Sequence, residues 1–126
     1  MIKNDLESRA DVEYLVRTFY ERVIPDPVIG YIFTEIAQLD LPSHLPILVD
    51  FWCGVLFQDS SYKGNPMLVH LKLNEQEKLT KEHFNRWLEL WETTVLEHFE
   101  GPKATIALER AKQIALLMMH KLESAK

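Results

Sequence analysis

The chain has 126 residues, of which 47% are hydrophobic and 26% are charged; this composition is typical of one ordinary globular domain. Its formal net charge of −5 at pH 7 argues against nucleic acid as a main partner, because phosphate backbones attract basic surfaces. Cys53 is the single cysteine, which excludes an internal disulfide and a four-thiolate zinc or iron–sulfur site.

The first part of the chain carries one apolar stripe at helical spacing, formed by Val12, Leu15, Val16, Phe19 and Val23. This pattern predicts a helix over about residues 5–24. Asn4 or Asp5 can cap its start. Pro25 is expected to end it, because proline lacks a backbone donor and clashes with the preceding turn.

Two further helix starts are predicted before the middle of the chain. Asp26 and Pro27 predict the first, with aspartate as the cap and proline in the first position. Ser43 is expected to cap the second, which runs over about residues 44–57. Its apolar side is formed by Leu45, Leu48, Val49, Phe51, Trp52, Val55 and Leu56.

The second half continues the helical pattern. Residues 58–65 are polar and predict a loop, after which Pro66 can open a short helical turn. Thr80 can cap a long helix, and the Gly-Pro pair at 101–102 predicts a stop followed by a last helix over about residues 102–122. Since no segment alternates with period two, the sequence predicts an all-α fold of five or six helices packed at globin-like angles.

The chain has no apolar run long enough to span a bilayer, and its polar N-terminus lacks the apolar core of a signal peptide. We therefore expect one cytoplasmic domain over residues 1–126, with neither a membrane nor a nucleic acid as partner.

The histidines are the residues that could hold a metal: His44, His70, His83, His98 and His120. Most histidines in proteins are surface side chains or satisfied core side chains. His44 and His70 differ because both fall among apolar residues, on segments that a polar loop separates. No paired ligands at metal-binding spacing accompany them on an inward helix face. A metal here would be held by one protein nitrogen, with a cofactor such as haem supplying the other ligands.

Large aromatic residues are frequent on the predicted inner faces: Phe19, Phe33, Phe51, Trp52, Phe84, Trp87, Trp91 and Phe99. An aromatic slot would suit a flat porphyrin, although core filling explains most of these residues equally well. Tyr20 and Trp87 add polar groups that need a partner when buried. Either a backbone carbonyl or a ligand such as O₂ would serve as that partner.

A series of short motifs resembles the third group of truncated haemoglobins over nearly the whole chain. The motifs, in order, are FYERV at 19–23, GYIF at 30–33, HL at 44–45, FW at 51–52, YKGNPMLVH at 62–70, HFNRWL at 83–88, FEGP at 99–102 and RAKQIA at 110–115. The Tyr-x-Gly-x-Pro-x-x-x-His and Phe-x-x-Trp-Leu strings are particular to that group.

The resemblance implies a two-over-two helical sandwich that binds haem (iron protoporphyrin IX), with His70 as the proximal iron ligand. It implies that Tyr20 and Trp87 donate hydrogen bonds to the ligand and that His44 gates or contacts the distal pocket. The haem-lining residues are expected to be Phe33, Phe51, Trp52 and Tyr62, to which we add Met67.

The sequence departs from the family at the haem propionates. Ile47 stands where many globins direct a basic residue at a propionate. Tyr62, Lys63 and Lys72 are left as candidates for that contact.

Three functions stay open at this stage. The favoured one is a haem protein that reversibly binds O₂ and other diatomic ligands such as NO and CO. The second is an enzyme that uses the same site for NO dioxygenation or peroxide reduction; it would need a separate reductase, because the short chain has no flavin or NAD domain. The third is a haem-free helical interaction module.

Overall fold

The computed structural model describes residues 3–36, 40–58 and 78–124. This part of the chain contains four α-helices, one π-helical segment and no strand. The α-helices are α1 (Arg9–Val23), α2 (Leu41–Phe57), α3 (Lys81–His98) and α4 (Pro102–Ser124), and the π-helical segment is Ile32–Ile36. The prediction of an all-helical fold is confirmed.

The start of α1 differs from the prediction. The helix begins at Arg9, and Ser8 is its cap, with a side chain that accepts from the backbone N–H of Asp11. Asp5 instead accepts hydrogen bonds from the backbone N–H groups of Lys103 and Ala104, at 3.0 and 2.8 Å, and so caps α4. The predicted cap is wrong because a carboxylate satisfies free N–H groups on whichever helix start lies nearest in space.

The start of α2 also lies earlier than predicted. The helix begins at Leu41 with Asp40 in the cap position, and Pro42 lies in its first turn, where a missing N–H costs nothing. Ser43 is therefore inside the helix, and its hydroxyl donates to the Asp40 carboxylate at 2.6 Å.

The boundaries of α3 and α4 follow the sequence signals. The Thr80 side chain accepts from the backbone N–H of His83, and the His83 ring accepts from the backbone N–H of Thr80. This reciprocal pair is a capping box with histidine in the place usually taken by glutamate. After α3, Gly101 adopts a φ of +138°, a conformation that favours glycine, and Pro102 opens α4.

The helices pack as two crossed pairs. Helix α1 packs against α2, α3 packs against α4, and the pairs meet through contacts of α1 with α3 and of α2 with α4. This is the predicted two-over-two arrangement. Alanines on α4 allow close approach: Ala104, Ala107, Ala111 and Ala115 are each at most 3% exposed. None of the described helices is long and apolar enough to cross a membrane.

Candidate functional site

Five of the predicted site residues belong to one continuous series of ring contacts. At one end, Phe33 of the π-helical segment contacts Tyr20 of α1 edge to face, with ring centroids 5.7 Å apart. Tyr20 contacts Phe19 at 5.1 Å, and Phe19 contacts Trp87 of α3 at 6.0 Å, again edge to face. Phe19 therefore separates the tyrosine and the tryptophan that the sequence singles out as donors.

The other half of the series is a column of three indoles. Trp91 contacts both of the other indoles. Its ring centroid lies 6.3 Å from that of Trp87, which is parallel to it, and 4.5 Å from that of Trp52, which is stacked on it. Phe51 then contacts Trp52 edge to face at 5.4 Å. Offset stacking and edge-to-face contacts are the favoured geometries of aromatic pairs. Side chains from α1, α2 and α3 are thus joined in one apolar wall.

The Tyr20 side chain is buried, and its hydroxyl has no protein acceptor in the described part of the chain. The side chain is 8% exposed, and no hydrogen bond joins its hydroxyl to any described residue. Burial raises the pKa of Tyr20 above its ordinary value, because a phenolate would be poorly solvated there. Tyr20 is therefore a protonated phenol, able to donate to a ligand.

The three indole N–H groups differ in whether they have a protein acceptor. Trp91 donates to the carbonyl of Ala107 at 3.1 Å, deep in the core. Trp87 is half-buried, and neither its N–H nor that of Trp52 bonds to a residue that the structure describes. The N–H of Trp91 is therefore satisfied by the fold, whereas Trp87 and Trp52 each keep an N–H that bonds to no described residue.

His44 lies outside this aromatic wall. Its ring is exposed, and its Nδ1 lies 3.0 Å from the carbonyl oxygen of Asp40, the residue that caps its own helix. A carbonyl can only accept, so Nδ1 carries the proton in this contact. The sequence places His44 among apolar residues, but its ring is exposed because the first turn of α2 provides an acceptor for Nδ1.

The remaining predicted site residues lie outside the described residues. These are Tyr62, Met67 and His70, together with the propionate candidates Lys63 and Lys72. Their assignments stay predictions.

The corner that connects α1 to the π-helical segment makes contacts that the sequence does not predict. Asp26 was expected only as a local cap, and its carboxylate does accept from the backbone N–H groups of Val28 and Ile29 at 3.0 and 3.1 Å. It also accepts from Arg86 of α3. Gly30 allows the corner to be tight, since a Cβ there would lie 2.4 Å from the carbonyl oxygen of Ile24.

The residues present fit the cofactor that the sequence leads us to expect. A wall of aromatic rings suits the face or edge of a porphyrin. The rings of Tyr20 and Trp87 contact the same phenylalanine, and neither the hydroxyl nor the N–H has a described acceptor, which suits a ligand that accepts hydrogen bonds. The donor set therefore agrees with a haem pocket that binds a diatomic ligand.

The comparisons with known proteins point in the same direction. No family model matches the chain. A curated protein of Campylobacter jejuni, "Group 3 truncated hemoglobin ctb", is 27% identical over 117 residues, which cover 90% of each chain. A solved structure, "Crystal structure of group III truncated hemoglobin from Campylobacter jejuni", superposes with a TM-score of 0.83 at 27% identity, covering 96% of this chain and 95% of that one. The resemblance indicated by the motifs is therefore confirmed: the chain is similar to truncated haemoglobins of the third group in sequence and in fold.

Proposed function

We propose that this protein binds haem through His70 and reversibly binds O₂, with NO and CO as further ligands. One observation carries the proposal: Tyr20 and Trp87 lie against the same ring, that of Phe19, and neither polar group has an acceptor among the described residues. Two donors whose rings contact one phenylalanine, and which no described residue satisfies, are suited to a ligand that accepts hydrogen bonds rather than to core filling.

Haem, when bound, would supply an iron atom that takes up diatomic ligands. In this proposal His70 is that histidine, as the resemblance implies. Phe33, Phe51 and Trp52 line the cofactor from the described side, because they already belong to the aromatic wall. Tyr62 and Met67 line it from the segment that carries His70.

Tyr20 and Trp87 hold the ligand by donating hydrogen bonds. Burial keeps the phenol protonated, since it raises the pKa of Tyr20. Hydrogen bonds to charged or strongly polarised acceptors contribute roughly 1.5–3 kcal/mol each. Each donor should therefore slow O₂ dissociation by about tenfold or more, because 1.4 kcal/mol corresponds to a factor of ten.

His44 has a different role in this proposal, that of a gate. Its ring is held on the exterior by the Asp40 carbonyl. Rotation of the side chain away from that carbonyl would bring a further donor toward the ligand. Both positions of the ring are populated as long as their free energies differ by no more than a few kcal/mol.

The test is absorption spectroscopy of the purified protein loaded with haem, in its ferric, ferrous, oxygenated and CO-bound forms. We expect a strong Soret band that the substitution His70→Ala abolishes or shifts sharply. His120→Ala, an exposed histidine on α4, is the matched control and should leave the spectrum unchanged. If His70→Ala also leaves all four spectra unchanged, His70 is not the iron ligand.

A separate reductase and a cytoplasmic location stay predictions from the sequence.

Acid should weaken the proposed attachment of haem to His70, because protonation of a histidine, whose ordinary pKa is about 6.5, competes with binding of a metal. A pH titration of the Soret band measures this.

A further inference from the structure

The Asp26 carboxylate connects the two parts of the chain that carry the proposed donors. Its Oδ2 accepts from the backbone N–H groups of Val28 and Ile29. Its Oδ1 accepts from Arg86 of α3, which lies 2.9 Å away through Nε and 2.7 Å away through Nη2. One side chain therefore holds the corner after α1 and the middle of α3 together.

This contact is buried on one side. The Asp26 side chain is 2% exposed and that of Arg86 is 33% exposed. Burial alone would raise the pKa of Asp26, but the hydrogen bonds from Arg86, Ile29 and Val28 outweigh it and lower that pKa. The carboxylate is therefore charged, and charge-assisted hydrogen bonds are short and directional.

Both ends of the pair lie close to a proposed donor along the chain. Arg86 immediately precedes Trp87, so holding the guanidinium limits rotation of α3 about its axis at the turn that carries the indole. On the other side, the backbone N–H of Asp26 donates to the carbonyl of Val23, in the last turn of α1. Tyr20 lies one turn earlier on that helix.

We propose that Asp26 and Arg86 are positioning residues that set the distance and angle between the Tyr20 hydroxyl and the Trp87 N–H. This inference rests on the proposed function, in which those groups donate to the ligand. Because hydrogen bonds weaken steeply when their angle or length departs from the optimum, a small rotation of α3 changes ligand retention without removing either donor. In this proposal the pair acts through α1 and α3 and not through contact with the ligand.

The readout is the C–O stretching band of the CO-bound haem protein, together with the O₂ dissociation rate. Donors beside the ligand lower the C–O stretching frequency, because positive charge near the oxygen draws electron density into the antibonding orbital. We expect Arg86→Gln to raise and broaden the band and to speed O₂ dissociation by about tenfold, the equivalent of one hydrogen bond of about 1.4 kcal/mol. Arg86→Lys, which keeps the charge, should change the C–O band and the O₂ dissociation rate less than Arg86→Gln does.

The matched control is Arg22→Gln. Arg22 also joins α1 to α3, through Thr94 and Glu97, but these partners lie about two and three helical turns beyond Trp87, whereas Arg86 lies next to it. The variant Arg22→Gln should lower the melting temperature, as Arg86→Gln does, but it should leave the C–O band in place. Asp26→Asn, which keeps an acceptor for the corner, is the second variant should Arg86→Gln fold poorly.

A double-mutant test separates positioning from general loosening. If Arg86 acts through the donors, Arg86→Gln should have little further effect on O₂ dissociation in a Tyr20→Phe, Trp87→Phe background. A full additional effect there would overturn the proposal. So would an unmoved C–O band in Arg86→Gln, Asp26→Asn and Arg86→Lys.

The two proposals fail in distinguishable ways. If Tyr20→Phe and Trp87→Phe move the C–O band but the Asp26 and Arg86 variants do not, only the positioning role is wrong. If Tyr20→Phe and Trp87→Phe themselves leave the band unmoved, the donor assignment fails and the positioning role falls with it.

Discussion

Trp87 and Trp91 lie parallel on one face of α3, with 5° between their ring planes and 6.3 Å between their centroids. Their environments differ despite this likeness. Trp91 is 1% exposed and donates its N–H to Ala107, whereas Trp87 is half-buried and its N–H bonds to no residue in the described ranges. The pair therefore separates an indole whose N–H the fold satisfies from one whose N–H bonds to no described residue.

The first prediction contrasts substitutions at these two positions. Trp91→Phe should lower the free energy of unfolding by about 2–3 kcal/mol, because it removes the bond to Ala107 and leaves a smaller ring in a fully packed site. Trp87→Phe should change it by less than about 1 kcal/mol. Urea denaturation of both variants measures this. Equal losses would show that Trp87 is a core residue of the same kind.

The second prediction concerns the Tyr20 hydroxyl. Tyr20→Phe should speed O₂ dissociation by about tenfold or more, since one donor is lost. In the haem-free protein it should leave stability unchanged or raise it by up to about 1 kcal/mol, because a buried hydroxyl without an acceptor is costly. Stopped-flow kinetics and denaturation measure the two effects. A clear loss of stability would reveal a protein partner for the hydroxyl.

The third prediction uses the high pKa of that phenol. Burial raises the pKa of Tyr20, so it should stay protonated at about pH 11, where an ordinary tyrosine is largely ionised. Absorbance of tyrosinate in the folded haem-free protein should therefore have the same amplitude at that pH in the wild type and in Tyr20→Phe. A smaller amplitude in the variant would contradict the burial of this group.

The fourth prediction concerns the cap that Asp5 provides to α4. Asp5→Ala should cost about 1–2 kcal/mol of stability, because two free N–H groups at the start of α4 lose their acceptor. The stability of Asp5→Asn should lie between those of the wild type and Asp5→Ala, since an amide keeps an acceptor but not the charge. Glu109→Ala, on the exposed side of α4, is the control and should be neutral within about 0.5 kcal/mol.

The same contact gives a pH dependence whose sign is determined. Burial acts to raise the pKa of Asp5, but hydrogen bonds from Lys103, Ala104 and Leu6 lower it below the ordinary value of 3.8. When the pKa of a carboxyl is lower in the folded state than in the unfolded state, the ionised carboxyl stabilises the folded protein at pH values above the unfolded-state pKa. That stabilisation is lost as the pH falls through the folded-state pKa. The stability difference between wild type and Asp5→Ala should therefore shrink below about pH 4. A difference that grows in acid would contradict it.

The fifth prediction concerns the tight corner at Gly30. A Cβ there would lie 2.4 Å from the Ile24 carbonyl oxygen and 3.0 Å from that of Val23. Because both neighbours are backbone atoms, the corner must shift, and Gly30→Ala should cost about 1–3 kcal/mol. The reverse exchange at an exposed site of α1, Ala10→Gly, should cost only the ordinary 0.5–1 kcal/mol or so. If Gly30→Ala instead stabilises the protein, the close approach is wrong.

Several features were accessible from the sequence because they depend on neighbours along the chain. Pro25 ends α1, Thr80 caps α3 and the Gly-Pro pair at 101–102 separates the last two helices, since a missing donor or a free N–H acts within one helical turn. Two of the aromatic residues predicted for the inner side of α3, Phe84 and Trp91, are buried. The order of motifs also predicted the family resemblance and the two-over-two fold.

Other features were decided only when the helices packed. The sequence could offer Asp5 a local helix start, but α4 brings its own free N–H groups nearer. It could not pair Asp26 with Arg86, nor tell Trp91 from Trp87 as the indole that the core satisfies. A polar side chain bonds to whatever partner the fold places within about 3 Å, and that distance is set by the crossing of helices rather than by spacing along the chain.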